Sequence, residues 1–396
     1  MKKIFVVLFS LMLLSFFACG TKSSDTLKPG EAVKIGFIGP MTGDAANYGK
    51  LMSQATKIAV EEFNAKGGIN GFTVDLIVED TQGSVEKGHP AIEKLAGVDK
   101  VIGIVGDVFS TVSLAVAPKA EAAKIVMISP SSTHKDLPDK GRFIFRDVIN
   151  DDLQAVVFSK YLANVEKVKT LAILYVKNDY SQALAKSVKA QYEKEGGKVV
   201  AEETALQGDK DFKTQLTKIK GTNPEALYIP NYVAEIAQIL EQAKQLGINA
   251  KLYSADGFSN PQILELAGAL ANGVIFTQIA EQPASNIRKN FEAKYDKKWG
   301  EKPDAFSLNA YDAANIILKS IAATAELIDG SLKIDREKLR DEVAKTKDYD
   351  GASGKITFTE NGDLVANIGI YTAENQKYKQ LRMFKLEGQN LVEITK

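Results

Sequence analysis

The sequence predicts an α/β protein of two similar lobes, each a mainly parallel sheet flanked by helices, joined by a hinge that the chain crosses several times. Three observations carry this. At 396 residues the chain is long for a single hydrophobic core. Short apolar runs alternate with segments whose apolar residues recur at helical spacing, the order that builds βαβ units and parallel sheets. One pattern also occurs twice. A strand, a turn carrying Tyr48, a helix, Gly67-Gly68 and a strand open the first half; a strand, a turn carrying Tyr180, a helix, Gly196-Gly197 and a strand open the second.

The chain begins with Met1-Lys2-Lys3 and an apolar run, 4–17, broken by Ser10 and Ser15. That run is short for a bilayer span and has the length of a signal-peptide core. It ends in Phe16-Phe17-Ala18-Cys19-Gly20, which is similar to a bacterial lipobox with Phe16 in the usual leucine's place. Residues 1–18 are therefore read as a signal peptide, and 19–32 as a lipidated Cys19 followed by a flexible polar tether. An ordinary signal peptide with an incidental cysteine is the alternative. On the first reading the protein is exported and anchored to a bacterial membrane, at the cell surface or in the periplasm, while its body stays in water.

Residues 33–39 form the first strand. A helix runs from Tyr48 until Lys66-Gly67-Gly68 stops it, and a second strand covers 73–78. Helix 85–96 follows. Strands at 101–105 and 125–128 lack polar alternation, which marks them as buried on both faces. A short crossing strand is expected at 143–145. The second cycle places strands at 171–176, 198–204, 225–229, 250–254 and 273–277, alternating with helices at 181–195, 211–220, 233–246 and 260–268. Helical patterns at 285–298, 304–325 and 335–345 come next, with little strand between. Asn361-Gly362-Asp363 signals a hairpin joining 355–358 to 369–372, and the last strand-like runs are 379–386 and 391–395. The expected lobes are 33–149 plus 279–350, and 150–278 plus 351–396.

Composition removes several functions. Fifty basic and fifty acidic residues cancel to a net charge of +0, so there is no basic excess for a nucleic-acid partner. His89, His134 and Cys19 are the only histidines and cysteine; they cannot assemble a Cys/His zinc site or an internal disulfide. Gly36, Gly39 and Gly43 do not make a dinucleotide fingerprint. No Ser–His or Cys–His pair suggests an enzyme, and no cofactor or metal is expected.

The stretch 101–134 points instead to binding. Its two buried strands end in hydroxyl-bearing turns: Ser110 and Thr111 open an Ala-rich helix, and Ser131-Ser132-Thr133 follows Ser129-Pro130. Ligands of open parallel sheets sit beyond the carboxyl ends of the strands, and a helix N-terminus favours an anion. The candidate is a small molecule's carboxylate.

KIGFIGPMTGDAANYG (34–49), FNAKGGINGFTVDLIVED (63–80), ISPSST (128–133), YVKNDY (175–180) and YSADGF (253–258), in that order, resemble the leucine/isoleucine/valine-type periplasmic binding proteins of ABC transporters. The resemblance runs from about residue 33 to near the C-terminus and implies the type I periplasmic-binding fold. It also implies a monomer that captures a small amino acid, aliphatic or branched-chain, between its lobes and delivers it to a transporter permease. Residue by residue it implies that Ser110, Thr133 and the backbone of Ser131 hold the ligand carboxylate. Tyr180 and Tyr232 face it from the second lobe, Asp256 receives the ammonium, and Tyr48 and Phe306 line the side-chain pocket. The turn 106–109 is longer than is usual in the family, which leaves Thr111 as the alternative to Ser110. Asp256 stands where many amino-acid binders carry Glu. Relatives that bind amides, urea or aromatic carboxylates, or that act as ligand sensors, define the alternative functions. Each residue has a plain structural role as well. Ser110 or Thr111 can be a helix cap, Asp256 before Gly257 a turn residue, Thr133 a loop bond and Tyr180 a packing ring. Asp107 and Phe109 are left open: either can edge the pocket, though a solvated loop is the expectation.

Overall fold

The computed structural model describes residues 24–388 and 390–394; the expected signal peptide and Cys19 lie outside them. The chain opens with β1 (Ser24–Leu27) and then β2 (Val33–Gly39), α1 (Ala46–Ala65), β3 (Val74–Asp80), α2 (Val85–Glu93), β4 (Gly103–Gly106), α3 (Ser110–Ala122), β5 (Val126–Ser129) and β6 (Ile144–Arg146). Strands β3-β2-β4-β5-β6 make a parallel sheet. β4 and β5 are buried at every residue, as unbroken apolar runs covered on both faces must be.

The chain then passes through α4 (Asp151–Lys160), β7 (Thr170–Val176), α5 (Asp179–Lys194), β8 (Lys198–Ala205), α6 (Lys213–Thr222), β9 (Ala226–Tyr228), α7 (Val233–Gln245), β10 (Lys251–Ser254), α8 (Gln262–Ala267) and β11 (Ile275–Ile279). It returns to the first sheet with α9 (Asn286–Trp299) and α10 (Ala305–Thr324), which pack on α1. Gly103 of β4 admits α10 closely, since a Cβ there would lie 2.5 Å from Ile317 Cγ2. After β12 (Glu326–Ile328), β13 (Ser331–Asp335), α11 (Arg336–Ala344), β14 (Tyr349–Asp350) and β15 (Lys355–Ile356), the chain crosses once more. There β16 (Ile368–Glu374), β17 (Lys377–Glu387) and β18 (Asn390–Glu393) complete the second sheet, β18-β17-β16-β11-β10-β9-β7-β8. Its β7–β11 strands are parallel and its last three antiparallel. The fold is the expected α/β one, two sheets with helical cover and repeated crossings between them.

Four expectations change. Residues 24–27, read as flexible tether, pair with β13 through Ser24↔Asp335 to Leu27↔Leu332, and Arg336 Nε and Nη2 grip the Asp25 carboxylate at 2.7 and 3.2 Å. The hairpin around 361–363 shrinks to one bridge, Phe358↔Leu364, while β15 pairs with β14 and β16 with β11. Residues 351–364 bond mostly to residues expected in the first lobe, although Asn150 Nδ2 also donates to Asp363 at 2.9 Å. The Ala352 and Ser353 N–H groups both donate to Asp312 at 2.7 Å, and Arg146 Nε and Nη2 donate to Asp363 at 2.6 and 3.0 Å. Finally, α4 and the β12–β13 pair stand where no element was expected. Among the described residues no helix is long and apolar enough to cross a membrane.

Candidate functional site

The first wall is the turn from β4 into α3. Gly106 has φ of 121°, and a Cβ on it would lie 2.1 Å from the Ile38 carbonyl oxygen. The Asp107 carboxylate accepts from the Phe109 N–H at 2.8 Å. Its main-chain carbonyl accepts from the Ser113, Ser129 and Ser132 hydroxyls at 3.0, 2.7 and 3.2 Å. Ser131 Oγ donates to the Val108 carbonyl at 2.8 Å. The turn is thus bound at both ends, and it delivers Phe109 and Ser110 to the sheet edge. Ser110 is the first residue of α3, at the positive end of the helix dipole. Asp107 and Phe109 are buried, not solvated; two apolar residues, Val108 and Phe109, inside the turn were the signal for this. Burial pushes the Asp107 carboxyl up to about 7.

The second wall is Asp256, just past β10. Gln154 Nε2 and the Tyr180 hydroxyl donate to its Oδ1 at 2.8 and 3.0 Å, and the Thr277 hydroxyl orients Gln154 by donating to Oε1 at 2.6 Å. Burial raises the Asp256 pKa from 3.8 to about 6, against the pull of those two donors. Gly257 has no room for a side chain: a Cβ would lie 2.4 Å from the Asn231 carbonyl oxygen, and its N–H donates to Tyr180 at 2.9 Å.

Aromatic rings close the space between the walls. Tyr232, the residue before α7, stacks on Phe109 at 4.1 Å and on Tyr180 at 5.0 Å. Tyr48 lies 5.8 Å from Phe109 and 6.4 Å from Phe306. From α1 its hydroxyl reaches the second lobe, donating to the Gly257 carbonyl at 2.8 Å and accepting from the Val233 N–H at 3.3 Å.

Tyr48, Ser110, Ser131, Tyr180, Tyr232, Asp256 and Phe306 line one small cavity, together with Val108, Phe109 and Gly257. Its free volume of about 10 Å³ is near that of a single water, because the stacked rings fill the rest. Thr111 and Thr133 are not on its wall. Thr111 Oγ1 accepts from the Asp179 N–H at 3.0 Å, a second link between the lobes. Thr133 is fully buried, and its hydroxyl has no partner among the described residues.

Two residues escaped the sequence reading, Gln154 and Asp151, both on α4. Asp151 is fully buried, and neither carboxylate oxygen has a partner among the described residues. Burial holds its pKa well above the usual carboxylate range, the Asp256 charge adding to the rise, and it lies within electrostatic reach of Tyr180, Tyr228 and Tyr232. Its N–H donates to the Thr133 carbonyl at 2.9 Å. One end of the site is therefore rich in acceptors, and the other presents a hydroxyl on a helix start. Such an arrangement suits a small molecule with a positive and a negative head.

Residues 32–378 match the model of a family described as periplasmic binding protein. The leucine-, isoleucine-, valine-, threonine-, and alanine-binding protein of Pseudomonas aeruginosa is 31% identical over 362 residues, which cover 90% of this chain and 92% of that one. The crystal structure of a leucine binding protein from Thermotoga maritima superposes with a TM-score of 0.82 at 32% identity, covering 89% of this chain and 98% of the other. A branched-chain amino acid transporter substrate binding protein from Streptococcus pneumoniae, solved with isoleucine, gives a TM-score of 0.80 at 28% identity over 92% of this chain and all of the other (100%).

Proposed function

This chain belongs to the periplasmic binding protein family, of the leucine/isoleucine/valine type, and from that premise we propose that it captures a small aliphatic amino acid between its lobes. One observation carries the reading: Ser110 at the start of α3 and the Asp256 carboxylate line the same cavity from different sheets. Stripping water from a zwitterion costs several kcal/mol per ion unless each charge is met. The α3 N-terminus and its hydroxyl meet the ligand carboxylate, the helix dipole adding about 0.3–1 kcal/mol. Asp256 meets the ammonium. A ligand of leucine size parts the Phe109–Tyr232–Tyr180 stack and packs its side chain against Tyr48 and Phe306.

The lobes of this reading are 33–149 with 279–364, and 150–278 with 365–396, the stretch 351–364 following its bonds to Asp312 and Arg146. A ligand that touches both favours their closure by differential affinity. The protein is a monomeric binder and not an enzyme; it is anchored through Cys19 outside the cytoplasm and hands its ligand to an ABC transporter permease.

Calorimetric titration with leucine, isoleucine, valine, alanine and threonine tests the reading. Binding of at least one is expected, and silence from the whole panel rejects it. Asp256→Ala separates amino acids from amides, urea and aromatic carboxylates, since only a ligand with an ammonium loses a counter-charge.

A further inference from the structure

The small sheet β1-β13-β12 ends in β12, Glu326-Leu327-Ile328, whose outer edge pairs with no strand among the described residues. All of β12 is exposed, Leu327 at 57% and Ile328 at 46%, and these two are the one adjacent pair among the exposed large apolar side chains of the described residues. Successive strand residues point to opposite faces, so both faces of β12 carry apolar surface into water. A second copy adding a strand at this edge would satisfy the backbone and leave those faces open; a fluid layer covers edge and faces together. The other rim of the same sheet is β1, where the described residues begin at Ser24. Leu27 and Leu327 both pair with Leu332, and Ser24 pairs with Asp335. Leu327 thus stands three residues along and two strands across from Ser24, about 10 Å each way and about 14 Å in all. Five extended backbone steps, from Cys19 to Ser24, reach about 17 Å, so β12 lies within range of a surface that holds Cys19.

We propose that β12 is a membrane-contact edge that lays Leu327 and Ile328 in the interfacial layer of a phospholipid bilayer; the proposal rests on the reading of Cys19 as the lipid anchor. Two apolar side chains bind an interface weakly alone, but a short tether raises their effective concentration at the surface. Polar groups fix the depth. The Asp329 carboxylate at the turn and the unpaired backbone edge need water, which keeps the strand among the headgroups and out of the hydrocarbon. Glu326 is paired with Lys338 at 2.7 Å. Lys333, opposite Glu326, and Lys28, just past β1, are exposed, and they meet the lipid phosphates.

For the test, the mature chain from Cys19 onward is coupled through that thiol, its only one, to maleimide phospholipid. The vesicles are phosphatidylethanolamine with phosphatidylglycerol, their acyl chains either plain or brominated near the headgroup. In Leu327→Trp the introduced indole should lose at least half its emission on brominated against plain vesicles, measured above the background of Trp299. The same substitution at Leu206, exposed just past β8 in the second lobe, should lose none. Adding Ile328→Asp to Leu327→Trp should reduce the quenching at least threefold. Thermal melts confirm that each variant is folded. Unchanged emission in Leu327→Trp, equal quenching in Leu206→Trp, or quenching that Ile328→Asp leaves intact overturns the contact. So does a dimer of the uncoupled chain in sedimentation that Ile328→Asp dissolves, since the edge then belongs to a second copy. Chemical coupling supplies the tether whatever becomes of Cys19 in the cell, and the mass of the protein extracted from membranes tests lipidation, so the two failures are distinguishable.

Discussion

Asp256 is where burial and charge oppose each other most directly at the site. Removing it leaves Gln154 and Tyr180 aimed at an empty position. Asp256→Ala should therefore weaken amino-acid binding by about 2–5 kcal/mol, the usual loss when one partner of a buried charge pair is truncated; calorimetry reads it directly. With its pKa at about 6, the carboxyl must ionise to receive an ammonium. Affinity should hold from pH 8 to 7 and fall roughly tenfold by pH 5, and Asp256→Asn should flatten the profile. Stability of the free protein moves the other way. A carboxyl whose folded-state pKa is raised favours the fold in its neutral form. That contribution is full below 3.8 and lost as pH rises to about 6. Denaturant melts at pH 4 and 7 should show a smaller difference for Asp256→Asn than for the parent chain. Asp256 and Ser110 were legible because each sits in a turn that ends a strand, where the fold itself gathers ligands. Gln154 and Asp151 were not, since they sit on a helix whose approach to the site is decided by tertiary packing.

The elements read best where burial alone decides them. Strands β2, β4, β5 and β7 are apolar runs with two covered faces, and no competing pattern fits them. Local signals were weaker guides. The β12–β13 pair turns on Asp329-Gly330, both at positive φ, a good hairpin dipeptide. Its first strand is exposed throughout, however, so no apolar alternation announced it. Asn361-Gly362-Asp363 carries a similar signal, but the Asp363 carboxylate is drawn to Arg146 instead, and β16 finds its partner in β11. Helix α4 had an Asn150 cap, whose Oδ1 accepts from the Leu153 N–H at 2.8 Å, and two acids in its first turn. At this scale the docking of β1 is open to test. Arg336→Ala removes both bonds to Asp25 and should cost about 1.5–3 kcal/mol, as hydrogen bonds to charged groups do. Limited proteolysis should then cut within 20–30 faster than in the parent, with amino-acid affinity unchanged.

For the molecule as a whole, the separation of the lobes depends on few direct bonds across the cleft. Among the described residues, Tyr48 bonds to Gly257 and Val233 at the cavity, and Thr111 to Asp179 one residue away from its lining. At about 1 kcal/mol each they are comparable with what a ligand adds, so occupancy can set the balance of open and closed forms. Tyr48→Phe deletes two of them while keeping the ring in place. Solution scattering should give a larger radius of gyration for the ligand-free variant than for the parent, and leucine should shrink the difference; coincident curves would take Tyr48 out of hinge control. The two-lobe plan was visible in the repeated strand, tyrosine turn and Gly-Gly order. How 351–364 packs was not, because the bonds that hold it, to Asp312, Arg146, Asn150 and Thr346, come from elsewhere in the sequence.

The clasp of β1 onto β13 has a consequence for how the protein sits in the cell envelope. Were Cys19 lipidated, as proposed, four residues would separate the grease from the first docked residue, a leash of five Cα steps or about 17 Å at full stretch. The body cannot drift far out on such a mooring. On the proposed anchoring, the corner that carries β12 and β13 would stay turned toward the bilayer, and the search for a transporter would become a walk in two dimensions.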